Sequence, residues 1–194
     1  MGRAKQFDID EALMKAVGLF WTRGYEATSV QDLVDHLGIG RSSLYATFGG
    51  KHALFIRALR RYDEEYRGKA VAEIARSAAS PRQAVARTYE AAIAEALKGR
   101  SRDGCFMVNA ALELSARDPE TEEIVSHAFT EMETFFRTMI EEGQAQGEIG
   151  EEVSATDAAR ALLGLIIGLR VLARSRPEGP LLRSIENQAE TLLG

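Results

Sequence analysis

Hydrophobic residues recur three or four positions apart along nearly the whole chain, which is the spacing of helices that bury one face. The strict alternation of apolar and polar positions that predicts half-buried strands is not evident in any segment. Gly, Pro and Ser/Thr/Asp positions divide the pattern into separate helices. We therefore expect an all-α fold of about nine helices.

Four helices are predicted in the N-terminal part. The first covers residues 10–23, with Asp8 or Asp10 as its cap and Gly24 ending it in the left-handed conformation. The next two begin after Thr28 or Ser29 and near Arg41, and Gly38 stops the earlier one. The fourth begins after Gly50 and continues past Tyr66.

Five further helices are predicted in the rest of the chain. Proline follows a capping residue at Ser80-Pro81 and at Asp118-Pro119, as is typical of a first helical turn. Asp103 and Ser154 are the expected caps of two others. The expected helices cover residues 81–99, 104–116, 119 to between 143 and 147, 155–173, and the segment after the loop 175–180 up to Leu193.

The segment 28–51, TSVQDLVDHLGIGRSSLYATFGGK, has the layout of a helix-turn-helix DNA reader. Gly38 permits the tight turn, and a small core for the pair is supplied by Leu33, Val34, Leu37, Ile39 and Leu44, closed by Phe20 and Phe48. The second short helix is too polar on one face to be core. The other interpretation of this segment is a helical bundle with a polar surface.

The polar residues of this segment are suited to phosphates and base edges. Arg41 can pair with a phosphate or donate two hydrogen bonds to guanine, and helix starts already favour phosphate. The expected DNA contacts are Thr28, Ser29, Arg41, Ser42, Ser43, Tyr45, Thr47 and Lys51.

Composition and charge refine this expectation. The net charge is −5, but residues 1–61 carry nine Lys/Arg against six Asp/Glu, so the acidic excess lies in the remainder. One cysteine excludes an internal disulfide, and His36, His52 and His127 lack metal-ligand spacing. We expect no cofactor, no metal and no membrane segment, and a cytoplasmic location because the N-terminus lacks a signal-peptide pattern.

The same segment resembles the N-terminal domain of TetR-type transcriptional repressors. The resemblance covers residues 10–57 and rests on Thr28-Ser29-Val30, on Gly38-Ile39, on the run from Leu44 to Lys51, and on Phe20, Gly24 and Tyr25 before them. Gly40 and Gly50 depart from it, because such proteins often carry helix-capping residues there.

The resemblance implies a homodimer that binds a palindromic double-stranded DNA operator and is released by an effector. It implies a DNA-binding domain over residues 1–57 and an effector-binding and dimerisation domain over residues 58–194. A dimer is also favoured on physical grounds, because a single short reading helix offers few specific contacts with DNA.

The run from Gly104 to Glu113, followed by Asp118-Pro119, resembles one subgroup of this family, with a Gly-Cys pair at the start of the sixth helix. In that subgroup the cysteine can sense electrophiles or oxidants. Cys105 in a first helical turn, with Arg100 and Arg102 nearby in sequence, suits such a thiolate, whereas Asp103 opposes it. The alternative is a buried structural cysteine.

An effector cavity is expected among the fifth to eighth helices. Asn109 and Glu113 stand four apart on an otherwise apolar helix, and either orient a ligand or hydrogen-bond a neighbouring helix. His127 is either part of the cavity or simply exposed. The candidate residues are Tyr89, Ile93, Cys105, Phe106, Asn109, Glu113, His127, Phe129, Met132 and Phe136.

The helix from Ala155 to Ala173 is apolar around much of its circumference, which favours a second copy as its partner over burial inside a monomer. Glycines four apart permit close helix approach. The candidate interface residues, including those of the last helix, are Ala161, Gly164, Leu165, Gly168, Leu182, Ile185 and Leu192.

These observations favour a repressor that responds to a small ligand or an electrophile. Two alternatives are a cysteine-dependent enzyme, which lacks an evident histidine partner in the sequence, and a helical interaction module without DNA affinity. The run Gly49-Gly50-Lys51 is not a phosphate-binding P-loop, because Tyr45 stands where that motif needs glycine.

Overall fold

The computed structural model describes residues 7–98 and 103–194, and this part of the chain contains nine helices and no strand. The all-α prediction is confirmed. The N-terminal helices are α1, Ile9–Arg23; α2, Val30–Leu37; and α3, Arg41–Phe48. Helix α4 begins as Lys51–Tyr62, passes through a π-helical segment, Asp63–Gly68, and continues as Lys69–Ser77.

The remaining helices form the body of the protein. They are α5, Pro81–Leu97; α6, Phe106–Ala110, extended by a second π-helical segment, Ala111–Ser115; α7, Pro119–Ala145; α8, Ala155–Ser175; and α9, Gly179–Thr191. In the described ranges, no helix is both long and apolar enough to cross a bilayer.

Side-chain caps begin most helices where the sequence predicts them. The Asp8 carboxylate accepts hydrogen bonds from the backbone N–H groups of Asp10 and Glu11, at 2.9 and 3.1 Å, so Asp8 is the cap of α1. Ser80, Asp118 and Ser154 cap α5, α7 and α8 in the same way.

Three local predictions are wrong. Gly24 has φ 85° and ψ 172°, outside the left-handed helical region, because the chain leaves α1 in an extended direction. Cys105, not Asp103, immediately precedes α6, because the helix begins at Phe106, two residues later than expected; the Asp103 carbonyl accepts a hydrogen bond from the Asn109 side chain at 2.7 Å. Helix α9 begins inside the expected loop, because Pro180 fits its first turn.

Two hydrophobic cores hold the helices together. The first joins α1 to α4 with α6 and the beginning of α7, and the second joins α5, the later part of α7, α8 and α9. In the first core, the ring of Phe55 lies edge-to-face against Phe20, at 5.2 Å between centroids, and against Phe106, at 5.6 Å. The first core therefore crosses the boundary predicted between residues 57 and 58.

The start of α2 supplies a stability prediction. Ser29 and Asp32 form a capping box, in which the Ser29 hydroxyl accepts from the Asp32 N–H at 3.0 Å and Asp32 accepts from the Ser29 N–H at 2.9 Å. Ser29→Ala should lower the free energy of unfolding in urea by about 1 kcal/mol. The exposed mid-helix Ser126→Ala is the control and should change little.

The difference in the free energy of unfolding between wild type and Ser29→Ala should depend on pH. Hydrogen bonds from Ser29 hold the pKa of Asp32 below its usual value, so the ionised carboxylate is the form that completes the box. The stability difference between wild type and Ser29→Ala should be complete above the ordinary aspartate pKa and shrink as the pH falls through the lowered one. A difference that stays constant to strongly acid pH would contradict this assignment.

Candidate nucleic-acid interface and effector cavity

The turn between α2 and α3 has the geometry of a helix-turn-helix. Gly38 is left-handed, with φ 66° and ψ 29°, and the Ile39 N–H donates to the Val34 carbonyl at 3.3 Å. Leu33 and Leu44 are fully buried between the two helices. This small core fixes the angle at which α3 leaves the turn.

The outer face of α3, which we call the reading surface, carries the polar residues that the sequence predicts there. Arg41 and Ser42 are exposed, Tyr45 is 47% exposed, and Ser43 and Thr47 are half-buried. A row of hydrogen-bond donors and acceptors along a short helix is what base edges and phosphates require.

The two glycine caps leave backbone donors open at this surface. Neither Gly40, before α3, nor Gly50, before α4, offers a side chain to the first helical N–H groups, and no acidic residue stands in either first turn. Such helix starts favour phosphate. Gly50 has φ 128°, and a Cβ there would lie 3.3 Å from the Tyr45 ring, so glycine also gives that ring its place.

Three of the predicted DNA contacts, Thr28, Ser29 and Lys51, do not belong to the reading surface on α3. Thr28 is buried and its hydroxyl donates to the Gly24 carbonyl at 2.6 Å, so its side chain is not available to DNA. The Ser29 hydroxyl is engaged in the capping box of α2. The Lys51 ammonium lies 4.1 Å from the ring centroid of Tyr25, at the start of α4.

A cavity of about 280 Å³ lies in the body, next to the first core. Aromatic rings from α1 and α4, those of Trp21, Tyr62 and Tyr66, form one wall. Its polar groups are Arg67, Thr88, Glu95, Cys105 and Arg170. The other lining residues are Ala70, Val71, Ile74, Ala91, Met107, Val108, Ala128, Phe129, Met132, Leu163, Ile166 and Ile167.

Cys105 lies on this wall beside groups that suit a reactive thiol. The Tyr62 hydroxyl donates to Cys105 Sγ at 3.7 Å, and burial, reinforced by Cys105, raises the pKa of Tyr62 well above its usual value. Arg170 donates to Glu95 at 2.5 Å. Burial works to lower the pKa of Arg170, but its polar surroundings, the bonded Glu95 carboxylate among them, outweigh burial and leave that pKa raised. The thiol therefore faces a hydroxyl donor and a permanent positive charge.

Three of the ten residues expected at the cavity line it, namely Cys105, Phe129 and Met132. On α5 the cavity side is formed by Thr88, Ala91 and Glu95. Tyr89 and Ile93 are rotated away into the second core, where the Tyr89 hydroxyl donates to the Leu162 carbonyl at 2.6 Å. Neighbouring helical positions differ by roughly 100° in direction, so an error of one residue changes the face.

The other five expected residues are also held elsewhere. Phe106 belongs to the first core and Phe136 to the second. The Asn109 side chain donates to the Asp103 carbonyl, and His127 is exposed beside Glu131, at 3.7 Å. Glu113 accepts hydrogen bonds from the loop between α1 and α2. Arg100 and Arg102 lie outside the described residues.

The body contacts the N-terminal helices through polar groups as well as through the shared core. Glu113 accepts from the backbone N–H of Tyr25 at 3.0 Å and of Glu26 at 2.7 Å. The His52 ring atom Nε2 lies 3.1 Å from the Asp118 carboxylate oxygen Oδ2. Hydrogen bonds to Asp118 from Thr121, with His52 assisting, hold its pKa below the usual range.

A charged cluster lies on the outer side of α4 and α7. The side-chain atoms of Asp63, His127 and Glu131 that could bind a metal ion lie within 4.8 Å of one another. The Arg67 guanidinium, however, donates hydrogen bonds to both carboxylates. Arg67 already supplies positive charge to this cluster, and we assign it to an ion-pair network.

The outer face of α8 is open in this single chain. Ala161 and Gly164 are exposed, Leu165 and Gly168 are half-buried, and a Cβ on either glycine would meet nothing within 4 Å. On α9, Ile185 and Leu192 are half-buried. Leu182 is fully buried inside the second core, so its expected place on an interface is wrong.

Comparisons with known proteins agree with this architecture. Residues 12–58 match the family model of bacterial regulatory proteins of the tetR family, and residues 79–183 match that of the tetracyclin repressor-like C-terminal domain. The transcriptional repressor ComR of Escherichia coli K12 is 36% identical over 193 residues, covering 99% of this chain and 90% of ComR. The transcriptional regulator YezE of Bacillus subtilis 168 is 34% identical over 176 residues, covering 90% of each protein.

A solved structure extends the similarity to the fold of the whole chain. A cysteine mutant of the TetR family transcriptional regulator CifR, in complex with a 26-bp double-strand operator DNA, superposes with a TM-score of 0.87 at 29% identity, covering all of both chains. Both family models, two relatives above 30% identity and this fold agree. The chain belongs to the TetR family of bacterial transcriptional regulators.

Proposed function

We propose that this regulator binds a palindromic DNA operator as a homodimer, and that it releases the DNA when a small ligand enters the cavity or an electrophile modifies Cys105. The observation that carries the proposal is the placement of a cysteine-bearing cavity directly against the core that holds the reading surface. A cytoplasmic location, where DNA is accessible, is part of the proposal.

The reading surface and the two open helix starts support the DNA-binding part. A relative of the same fold, CifR, was solved on operator DNA. Arg41, at the first position of α3, is the candidate for base or phosphate recognition, and Ser42, Ser43, Tyr45, Thr47 and Lys51 are candidates for the surrounding contacts. Ser29 contributes through its capped helix start.

The open face of α8 supports the homodimer. Two glycines one turn apart with free space above them let a second copy of the helix approach closely, and Leu165, Ile185 and Leu192 supply apolar area beside them. A dimer places two reading helices on two half-sites, as a palindromic operator requires.

The cavity supports a small effector with an apolar body. Its volume of about 280 Å³ lies at the low end of the range for small-molecule sites, roughly 300–1,000 Å³. Most of its lining is aromatic or aliphatic, and Arg170 and Glu95 form an ion pair on its wall. The thiol of Cys105 gives an electrophile a site for covalent attachment, in keeping with the subgroup that the sequence resembles.

The first prediction concerns DNA recognition. Arg41→Ala should weaken binding to the tightest duplex from a random-site selection by about 1–3 kcal/mol, and Tyr45→Phe should weaken it less. Fluorescence anisotropy at fixed salt measures both. Arg76→Ala, an exposed arginine near the far end of α4, is the control. Wild-type affinity in both Arg41→Ala and Tyr45→Phe would reject α3 as the reading helix.

The second prediction concerns Cys105, the only cysteine of the chain. Treatment with iodoacetamide, verified as a single addition by intact mass, should release the duplex from the wild type. Cys105→Ser should stay bound under the same treatment, because it lacks the nucleophile. Equal release from both proteins would show that Cys105 is not the sensor.

The third prediction concerns the dimer. Gly168→Leu should convert dimer to monomer in sedimentation velocity and weaken duplex binding at least about tenfold, because the new side chain blocks close helix approach. Far-UV circular dichroism should remain helical, since the substitution meets open space within one chain. Ala145→Leu, at an exposed position at the end of α7, is the matched control. A stable Gly168→Leu dimer would place the interface elsewhere.

A further inference from the structure

We infer that Glu113 is the positioning residue that couples the cavity to the reading surface, an inference that rests on the proposed function. Its two carboxylate oxygens each accept one hydrogen bond from successive backbone N–H groups, those of Tyr25 at 3.0 Å and Glu26 at 2.7 Å. Hydrogen bonds to an ionised acceptor are stronger than those between neutral groups. We call this pair of bonds the Glu113 clamp.

The loop that Glu113 binds is built to receive it. Gly24 has φ 85°, which disfavours any other residue, and a Cβ at Gly24 would lie 2.9 Å from a Glu113 oxygen. The extended backbone after α1 thus turns two N–H groups toward the body. A glycine is needed here for the close approach of a carboxylate from a distant part of the chain.

The clamped loop leads directly into the helix-turn-helix. Thr28 donates its hydroxyl to the Gly24 carbonyl at 2.6 Å, and the next residue, Ser29, caps α2. The Tyr25 ring packs edge-to-face on Phe55, at 4.9 Å between centroids. Movement of Tyr25 and Glu26 therefore moves the start of α2, against which α3 packs.

Helix α6, whose π-helical extension carries Glu113, forms a wall of the cavity at its other end. Cys105, Met107 and Val108 line it, and Glu113 follows within the adjoining π-helical segment. Eight residues of helix span only about 12 Å. A displacement of α6 by a ligand or by a group attached to Cys105 is thus delivered to the loop by one rigid segment.

Two charged pairs between the body and the N-terminal helices differ in kind from the clamp. The pairs His52–Asp118 and Arg60–Glu120 join side chains that are partly or largely exposed, with closest atoms 3.1 and 3.6 Å apart. Such pairs are weak and screened by salt. Only the Glu113 clamp, among these three contacts, holds the backbone next to α2.

The arrangement that the clamp holds is similar to one compatible with DNA. The whole chain superposes on operator-bound CifR with a TM-score of 0.87, with the N-terminal helices and the body fitted together. Loss of the clamp is therefore expected to weaken DNA binding and to disconnect it from events at the cavity.

The test uses Glu113→Gln, which keeps the shape of the side chain but replaces one acceptor by an N–H donor that opposes a backbone N–H. Affinity for the tightest duplex from random-site selection is measured before and after complete alkylation of Cys105 by iodoacetamide. Glu142→Gln, an equal change of charge at an exposed position near the C-terminal end of α7, is the control.

Glu113→Gln should bind the duplex about tenfold more weakly than wild type while remaining a dimer. Alkylation should weaken the wild type and Glu142→Gln at least about fivefold, the lower end of ordinary allosteric coupling, and Glu113→Gln less than twofold. A merely structural role would lower the thermal midpoint and leave the alkylation ratio unchanged. That result, or wild-type affinity in Glu113→Gln, would overturn the inference.

Two further outcomes separate this inference from the proposed function. A wild type whose affinity is unaffected by alkylation contradicts the electrophile response, and the basal affinity of Glu113→Gln then decides whether Glu113 positions the reading surface. If Glu113→Gln does not fold, amide exchange in the wild type decides. Exchange of the Tyr25 and Glu26 amides should be slow, and exchange as fast as in an open loop would overturn the clamp.

Discussion

The packing of Phe55 between Phe20 and Phe106 is the contact on which the structure depends most. Helices α2 and α3 have eight residues each, which is too short for stability outside a folded core. The core that holds them is completed by α6 and the first turns of α7. The DNA-reading helices therefore have no hydrophobic core separate from the body, and their orientation depends on where α6 lies.

Electrostatics alone give the N-terminal helices little attraction for DNA, since nine basic residues face six acidic ones over the first 61 positions. The ion pairs within these helices leave that balance unchanged, because each one joins a basic residue to an acidic one. Asp32 is held by Ser29 and by Arg23 at 2.9 Å, and Asp10 pairs with Arg61 at 2.5 Å. The open helix starts at Gly40 and Gly50 then add oriented N–H groups without adding charge. Affinity must come from a few placed contacts, and this makes it sensitive to small shifts of α3.

Sequence reasoning succeeded where one residue type has one physical role. Glycine at the turn, serine or aspartate at helix starts and the spacing of Leu33, Leu37 and Leu44 follow from local rules, and nearly all helices lie where they are predicted. The lining of the cavity depends on rotation about each helix axis, which sequence fixes poorly, so Tyr89 is predicted there although Thr88 and Glu95 face the cavity. Arg170, a charge that directly follows the apolar run from Ala161 to Leu169, is the sequence signal that marks this cavity. The role of Glu113 could not be predicted, because its partners are backbone groups 87 and 88 positions away.

Tyr62 and Trp21 explain why the cavity cannot be altered without consequence for the N-terminal helices. The Tyr62 ring packs on Phe106 at 5.5 Å within the first core, while its hydroxyl reaches Cys105 on the cavity wall. The Trp21 ring, from α1, lies 4.9 Å from the Tyr62 ring between centroids, and the Trp21 indole N–H donates to the Gly104 carbonyl at 2.8 Å. Protein interiors are close-packed and yield by moving whole elements rather than by local compression. An occupant that displaces either ring must therefore shift α1, α4 or α6, and each of these helices belongs to the core beneath the reading surface.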